Sequence, residues 1–370
     1  MNRATSTYLH LAGVSALIVI LLEHADLPAI TGLNTVRGAA LLGDHAIALL
    51  FLLSGVSIAH LTQTREMQLR EYASNRLARL YSVIAPALIL TVALDAIGRR
   101  LEPGLYSQWE LSGSHPAAGL LTSLLCSQEL WFISLRPLSN VPFWPLCYLF
   151  WYYVLYATVR YAKAPVKHLM VLGIALLIGP KILLLLPIWL LGVWAYRAIA
   201  APIVRETGGW ILVVGTGAAY AVFLLMHGPG TLSDWTLRHL GSRVYRDLGW
   251  SNIFLSDYVV AGLAVLHFMG FAAIAPRLSM GLAPCERSVR YLSSFSLSAY
   301  LFHFPLLLFF SALGERMSAG APLAMFVIAG TLAAIWIIGT VTERRRHLLE
   351  RRLVEGFAGL ERRLSLRGSG

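Results

Sequence analysis

The sequence predicts an all-α integral membrane protein, a bundle of about ten transmembrane helices. Two observations predict it. Hydrophobic residues make up 57% of the 370 and charged residues only 13%, about half the charged share of a soluble domain. The apolar residues also gather in separate long runs, matching helices that cross a hydrocarbon core of roughly 30 Å. The net charge of +11 then needs no nucleic acid to explain it, because cytoplasmic loops of membrane proteins collect Lys and Arg. Cys126, Cys147 and Cys285 are scattered, so neither a disulfide framework nor a metal cluster is expected.

The first run is uncharged from Ala4 to Leu22 and ends in Glu23-His24-Ala25-Asp26. Only Arg3 precedes it and no small-residue cleavage site follows, so it reads as a retained helix. A charged group deep in hydrocarbon costs about 2.5–3.5 kcal/mol. A carboxylate and an imidazole closing a span therefore point to a function. Further spans are expected at roughly 40–61, 80–98, 142–160, 167–180, 181–199, 209–227, 257–275, 291–312 and 322–342. The fifth and sixth form one apolar tract broken at Gly179-Pro180, with Lys181 at the bend, as suits a short re-entry.

Placing the N-terminus inside puts most of the 30 basic residues on inner segments, so an N-in, C-in topology is expected. Residues 1–342 then form the membrane domain and 343–370 a basic cytoplasmic tail, read as a topology anchor and a contact for anionic lipid. Two long outer loops remain, at about 99–141 and 228–256. Within the first, Leu120 to Leu135 reads as a short helix lying on the membrane or plugging the bundle mouth. The second opens on His227-Gly228-Pro229-Gly230 and reads as a turn-rich, aromatic loop.

This topology sorts polar side chains by depth. Glu23, His24, Asp44, His45, His227 and Asp257 fall at the outer ends of spans, His303 in an outer half, and Ser54 deeper. Arg76 and Arg79 stand at the inner entry to the third span. Such a layout suits an enzyme with an anionic donor inside and an acceptor outside. Arginines hold phosphates by bidentate, charge-assisted bonds, and a neutral imidazole can take a proton from a hydroxyl. Ordinary roles compete at each position. A membrane histidine also serves as a structural hydrogen-bond partner, and paired arginines as topology markers. Ser54-Gly55 also permits close helix packing, and Trp144 and Trp151 suit an interfacial belt. Glu23 and His24 point about 100° apart on a helix, so Asp44 or His45 from the second span is as good a partner for His24. Composition and topology leave enzyme and transporter on equal terms.

Four stretches shift that balance. Phe51-Leu52-Leu53-Ser54-Gly55-Val56-Ser57-Ile58 resembles the second helix of the membrane acyltransferases of family 3. Arg76-Leu77-Ala78-Arg79-Leu80-Tyr81 resembles that family's basic entry to the third helix. Asn140-Val141-Pro142-Phe143-Trp144-Pro145-Leu146, followed by Trp151-Tyr152-Tyr153, resembles its Asn-Pro-Trp stretch. Ser298-Ala299-Tyr300-Leu301-Phe302-His303-Phe304-Pro305 is similar to its late Ser-Tyr-His-Pro helix. The resemblance runs over about residues 8–342 and implies the ten-helix plan. It also implies an O-acyltransferase without a metal, moving an acyl group, usually acetyl, from acyl-CoA to a hydroxyl of a cell-envelope glycan or small molecule. The family's catalytic histidine corresponds to His24, and its basic pair to Arg76 and Arg79 on the CoA side. On that reading Glu23 or Asp44 orients or charge-balances His24, and Trp144 and Tyr148 line the pocket. His45, Ser54 and His303 are further substrate contacts.

The likeness has departures. The family's arginine eleven positions before the histidine is Gly13 here, and its aspartate three positions earlier is His10. The serine after the tryptophan is Pro145, and the glutamate five positions after it is Leu149. Either Glu23, Asp44 or His45 substitutes in a variant site, or the scaffold serves as a transporter, flippase or scaffold protein. Expected partners are membrane lipids and the hydroxyl acceptor, with no nucleic acid. Homo-oligomerisation is compatible with such a bundle, and a bacterial inner membrane is the expected location.

Overall fold

The computed structural model of the chain describes residues 1–33, 39–65, 67–107 and 115–367. Its helices are α1 (Arg3–Ala25), α2 (Ala39–Thr64), α3 (Leu69–Leu101), α4 (Pro103–Ser107), α5 (Pro116–Leu124), α6 (Pro145–Tyr161), α7 (Val166–Ala200), α8 (Glu206–Leu225), α9 (Gly228–Asp247), α10 (Phe254–Ser293), α11 (Ser296–Leu313), α12 (Ala321–Val341) and α13 (Arg346–Arg367). No strand occurs among the described residues. Eight described stretches are long and apolar enough to cross a membrane by length and composition. The chain is an all-α, multi-pass membrane protein.

Side-chain contacts give the helix directions. Glu23 lies against Gly43 and Leu53 against Gly13, so α1 and α2 are antiparallel. Tyr72 at the start of α3 donates to the Tyr153 carbonyl (3.2 Å), while Asn140, just ahead of α6, donates to Thr91 (3.3 Å). Those two helices are therefore antiparallel as well. Both α6 and the second half of α7 follow α2 in its own direction. Ser54 meets Tyr153 (3.1 Å) and Thr62 meets Tyr156 (2.7 Å) along one side. Gly192 meets Leu52, and His60 meets Tyr196 (3.0 Å), along the other.

Because α6 and the second half of α7 run the same way, residues 166–178 must carry the chain back between them. The reversal falls at Gly179, whose φ of +77° is open to glycine at little cost. Trp131 packs on the same atom, where a Cβ would lie 2.7 Å from the Trp131 Cα. The backbone N–H and indole N–H of Trp131 donate to the carbonyls of Ile178 and Leu176 (both 3.0 Å), satisfying groups the break leaves free. Lys181 follows at once, fully buried. Its ammonium donates to Glu129, to Ser134 Oγ (2.6 Å) and to the Ile133 carbonyl (2.6 Å).

Two loop expectations are corrected. Leu120–Leu135 is not one helix: α5 ends at Leu124, and the chain beyond it is irregular, burying Cys126, Gln128 and Glu129 in the bundle while residues 131–134 stay exposed. The Glu129 carboxylate seeks the buried Lys181, and left-handed Cys126 and Trp131 break the helix to deliver it. The stretch after His227 is mostly helix, not loop. Gly228-Pro229 starts α9 with Pro in the first turn, where its missing N–H costs nothing.

Candidate active site

The end of α1 meets the middle of α11 through two imidazoles. His303 is buried, and its Nδ1 lies 2.6 Å from the Tyr300 carbonyl. A carbonyl only accepts, so Nδ1 of His303 carries the proton and Nε2 keeps a lone pair. His24 Nδ1 lies 2.9 Å from the Ile20 carbonyl and 3.1 Å from His303 Nε2. Both are acceptors, so His24 donates from Nδ1. Its own Nε2 is left unprotonated, the form a general base needs. Phe304 stands edge-on to the His24 ring at 5.1 Å.

A cavity of about 650 Å³ enters from the opposite end of the bundle. Arg76, Arg79, Arg290, Arg344, Arg346 and His10 stand at its mouth. Its middle is walled by Gly13, Val14, Leu17, Leu50, Leu53, Pro145, Leu146 and Leu149, with Ser54 and Ser57 on α2. It reaches Tyr300, one helical turn before His303. The ring centroids of Tyr300 and His303 are 5.9 Å apart, and the buried Tyr300 hydroxyl has no partner among the described residues. His24 is not part of the cavity wall, so Tyr300 separates the chamber from the imidazole pair. His10, Gly13, Pro145 and Leu149, which depart from the family pattern, all face the chamber. The charged groups expected at Gly13 and Leu149 are absent from its wall, which leaves it charged at the mouth and mainly apolar beyond, with the hydroxyls of Ser54 and Ser57 among the polar groups along it.

The sequence-predicted residues divide into three groups. Arg76, Arg79 and Ser54 line the chamber. Arg76 is 8% exposed and lies over the Tyr153 ring at 5.5 Å. His24 and His303 join as described; Glu23 and Asp44 act on each other electrostatically, and both act on Tyr300. Neither carboxylate bonds the His24 ring, which is oriented by His303 and Ile20 instead. His45 faces the other way: Tyr220 (3.0 Å) and Ser256 (2.9 Å) occupy both of its nitrogens, pinning α2 to α8 and α10. Trp144 and Tyr148 belong to a buried aromatic stack. Trp250 lies 5.7 Å from Trp144, and the Tyr148 hydroxyl meets Ser251 (2.9 Å). Sequence reasoning did not single out Tyr300, Arg344 or Arg346 as site residues. Tyr300 lies inside a motif, which is a usable signal; Arg344 and Arg346 lie in a segment whose composition reads as a separate tail.

Fold and site together define a multi-pass helical membrane protein with an internal chamber, cationic at one end and ending at the other on Tyr300, beyond which lies an imidazole pair. Comparison with known families makes this specific: the acyltransferase 3 model, described as an acyltransferase domain, matches residues 11–340. The chain belongs to the acyltransferase 3 family and is a membrane acyltransferase. Neither the curated proteins nor the solved structures hold a significant match to it.

Proposed function

We propose that the protein is an O-acyltransferase, moving an acetyl or related acyl group from acyl-CoA to a hydroxyl of a cell-envelope glycan or small molecule. The donor enters the chamber from the arginine end, which we place on the cytoplasmic side of a bacterial inner membrane. Arg76 and Arg79 hold its phosphates. The apolar wall takes the thin pantetheine arm and acyl chain. His24 Nε2 takes the proton of the acceptor hydroxyl, and the oxygen attacks the thioester carbonyl. Tyr300, its hydroxyl otherwise unpartnered among the described residues, donates to the carbonyl oxygen as negative charge develops there. The C–S bond then breaks, an ester C–O bond replaces it, and the proton on His24 passes to the CoA thiolate. Tyr300 must swing aside or meet substrate for the two ends to communicate. Glu23 and Asp44 contact the acceptor or balance the imidazolium.

The observation that carries this reading is the His24–His303 pair, which leaves one lone pair aimed away from its fixed partners. Transfer of radiolabelled acetyl from acetyl-CoA to envelope glycans tests it. His24→Ala should lower labelling by about 10²–10⁴-fold, the usual worth of a general base; equal labelling rejects the role of His24. The apolar chamber wall favours one competing reading, a flippase-like carrier. Export of a glycan or lipid without acylation, by a protein that binds no acyl-CoA, would establish that reading instead.

A further inference from the structure

The segment after α12 is not a loose tail. A single 3-10 turn, Glu343–Arg345, leads from α12 into α13, and two carboxylates fix it. Glu343 is 3% exposed and accepts from the backbone N–H groups of Leu297 (3.3 Å) and Ser298 (2.8 Å), in the first turn of α11. A carboxylate there satisfies amides the helix cannot pair itself and meets the positive end of its dipole. Asn75 on α3 donates to Glu350 (2.8 Å), and α13 packs along α3.

Between these anchors the chain sets two guanidinium groups at the chamber mouth. Arg344 lies over the rings of Tyr291 (5.1 Å) and Phe295 (5.7 Å), and Arg346 is half-buried. Arg76 and Arg79 act on Arg346 as like charges, and Glu343 and Glu350 act on it in the opposite sense. Arg290 has Glu286 at 3.0 Å. Arg76, Arg79, Arg344 and Arg346 form no ion pair with any described carboxylate. Glu343, the one acid in the chamber wall among the described residues, is already held by two amides. Four guanidinium groups outnumber the Glu343 and Glu350 carboxylates, so the opening keeps a net positive charge that a bound anion offsets.

We infer that residues 343–346, which lie beyond the matched domain at 11–340, complete the donor site by supplying Arg344 and Arg346 to a polyphosphate-bearing nucleotide. The inference rests on the reading that acyl-CoA is the donor. With two arginines from α3 and two from the C-terminal segment, the mouth offers enough guanidinium groups for a pyrophosphate and a further phosphate. A single phosphate, as on a lipid headgroup, uses only part of that set.

Binding of CoA to the full chain, purified in non-ionic detergent free of phospholipid, tests this by calorimetry. Arg344→Gln/Arg346→Gln should weaken CoA binding about tenfold or more, since bonds to charged groups are among the strongest available. Arg344→Lys/Arg346→Lys should recover part of it. Arg351→Gln/Arg352→Gln removes the same charge from exposed positions of α13 outside the chamber wall, and should bind CoA as the parent does. Equal CoA affinity in the parent and in Arg344→Gln/Arg346→Gln overturns the role of the segment and leaves the acyl-CoA reading standing. A parent that binds no CoA overturns both. Loss of affinity in Arg351→Gln/Arg352→Gln equal to that in Arg344→Gln/Arg346→Gln overturns a specific site in favour of diffuse charge. Retention of phosphatidylglycerol by a parent indifferent to CoA, lost in Arg344→Gln/Arg346→Gln, assigns the mouth to a lipid headgroup.

Discussion

His24 and His303 lie 279 residues apart and meet through one 3.1 Å contact. Through that bond His303 accepts from His24 and holds its ring in one tautomer; in the proposed mechanism it does not meet substrate itself. As a positioning residue, its loss should act on turnover and spare donor binding. His303→Phe is expected to lower kcat by about 10²-fold with the donor KM unchanged, and His303→Gln, which restores an acceptor oxygen, to recover part of it. Steady-state kinetics check this; a rise in donor KM with kcat intact would contradict it. Lys181 and Glu129 make a different residue-scale case. Lys181→Met leaves a buried carboxylate without its cation, at a cost of about 3–5 kcal/mol, and adding Glu129→Gln should restore most of that. Burial pushes the Glu129 carboxyl up while Lys181 pulls it back. With Lys181 gone only the upward push remains, so the folded variant holds a proton that the unfolded chain releases at lower pH. Its stability is therefore full below the ordinary carboxyl range and declines as pH rises through the raised value. Thermal melting of Lys181→Met should show a higher midpoint at pH 5 than at pH 8; the reverse order would refute the assignment.

Among the elements, α2 and α7 pack backbone against backbone, and two glycines allow it. A Cβ on Gly55 would lie 2.1 Å from the Trp189 carbonyl oxygen, and one on Gly192 would lie 2.1 Å from that of Leu52. Van der Waals packing between backbones holds such helices together in lipid, where no hydrophobic drive remains. Gly55→Leu should cost at least about 1–3 kcal/mol by overpacking, read as a lower melting temperature in detergent. An unchanged midpoint would mean that the helices are not in contact there. Most of these elements are legible in the sequence because span length and the Gly179-Pro180 break are local signals. Arg76-Arg79 and the Ser-Tyr-His-Pro stretch are legible as motifs. The route of residues 125–140 is not, because the partner that pulls Glu129 inward is 52 residues away. Nor is α9, whose Gly-Pro-Gly start has the composition of a turn. The partner of His24 is hidden for a related reason: proximity in sequence and topology favours Glu23 or Asp44, and only packing brings up His303.

At the scale of the whole molecule, the successive crossings leave Ser6, Arg290 and Glu343 at one end of the bundle and the imidazole pair toward the other. The chamber opens at the first of these ends. A two-sided enzyme needs this arrangement, because donor and acceptor can then approach one reaction centre from different compartments. The departures from the family pattern at His10, Gly13, Pro145 and Leu149 all face the chamber and leave both polar ends in place. The direct measurement is acyl transfer in sealed membrane vesicles of known orientation, with labelled acetyl-CoA supplied to one face at a time. Labelling of acceptor should occur only when the donor meets the face bearing Arg76 and Arg79, and His24→Ala should abolish it. Labelling of equal extent from either face, or undiminished in His24→Ala vesicles, would contradict transfer through the chamber to that imidazole.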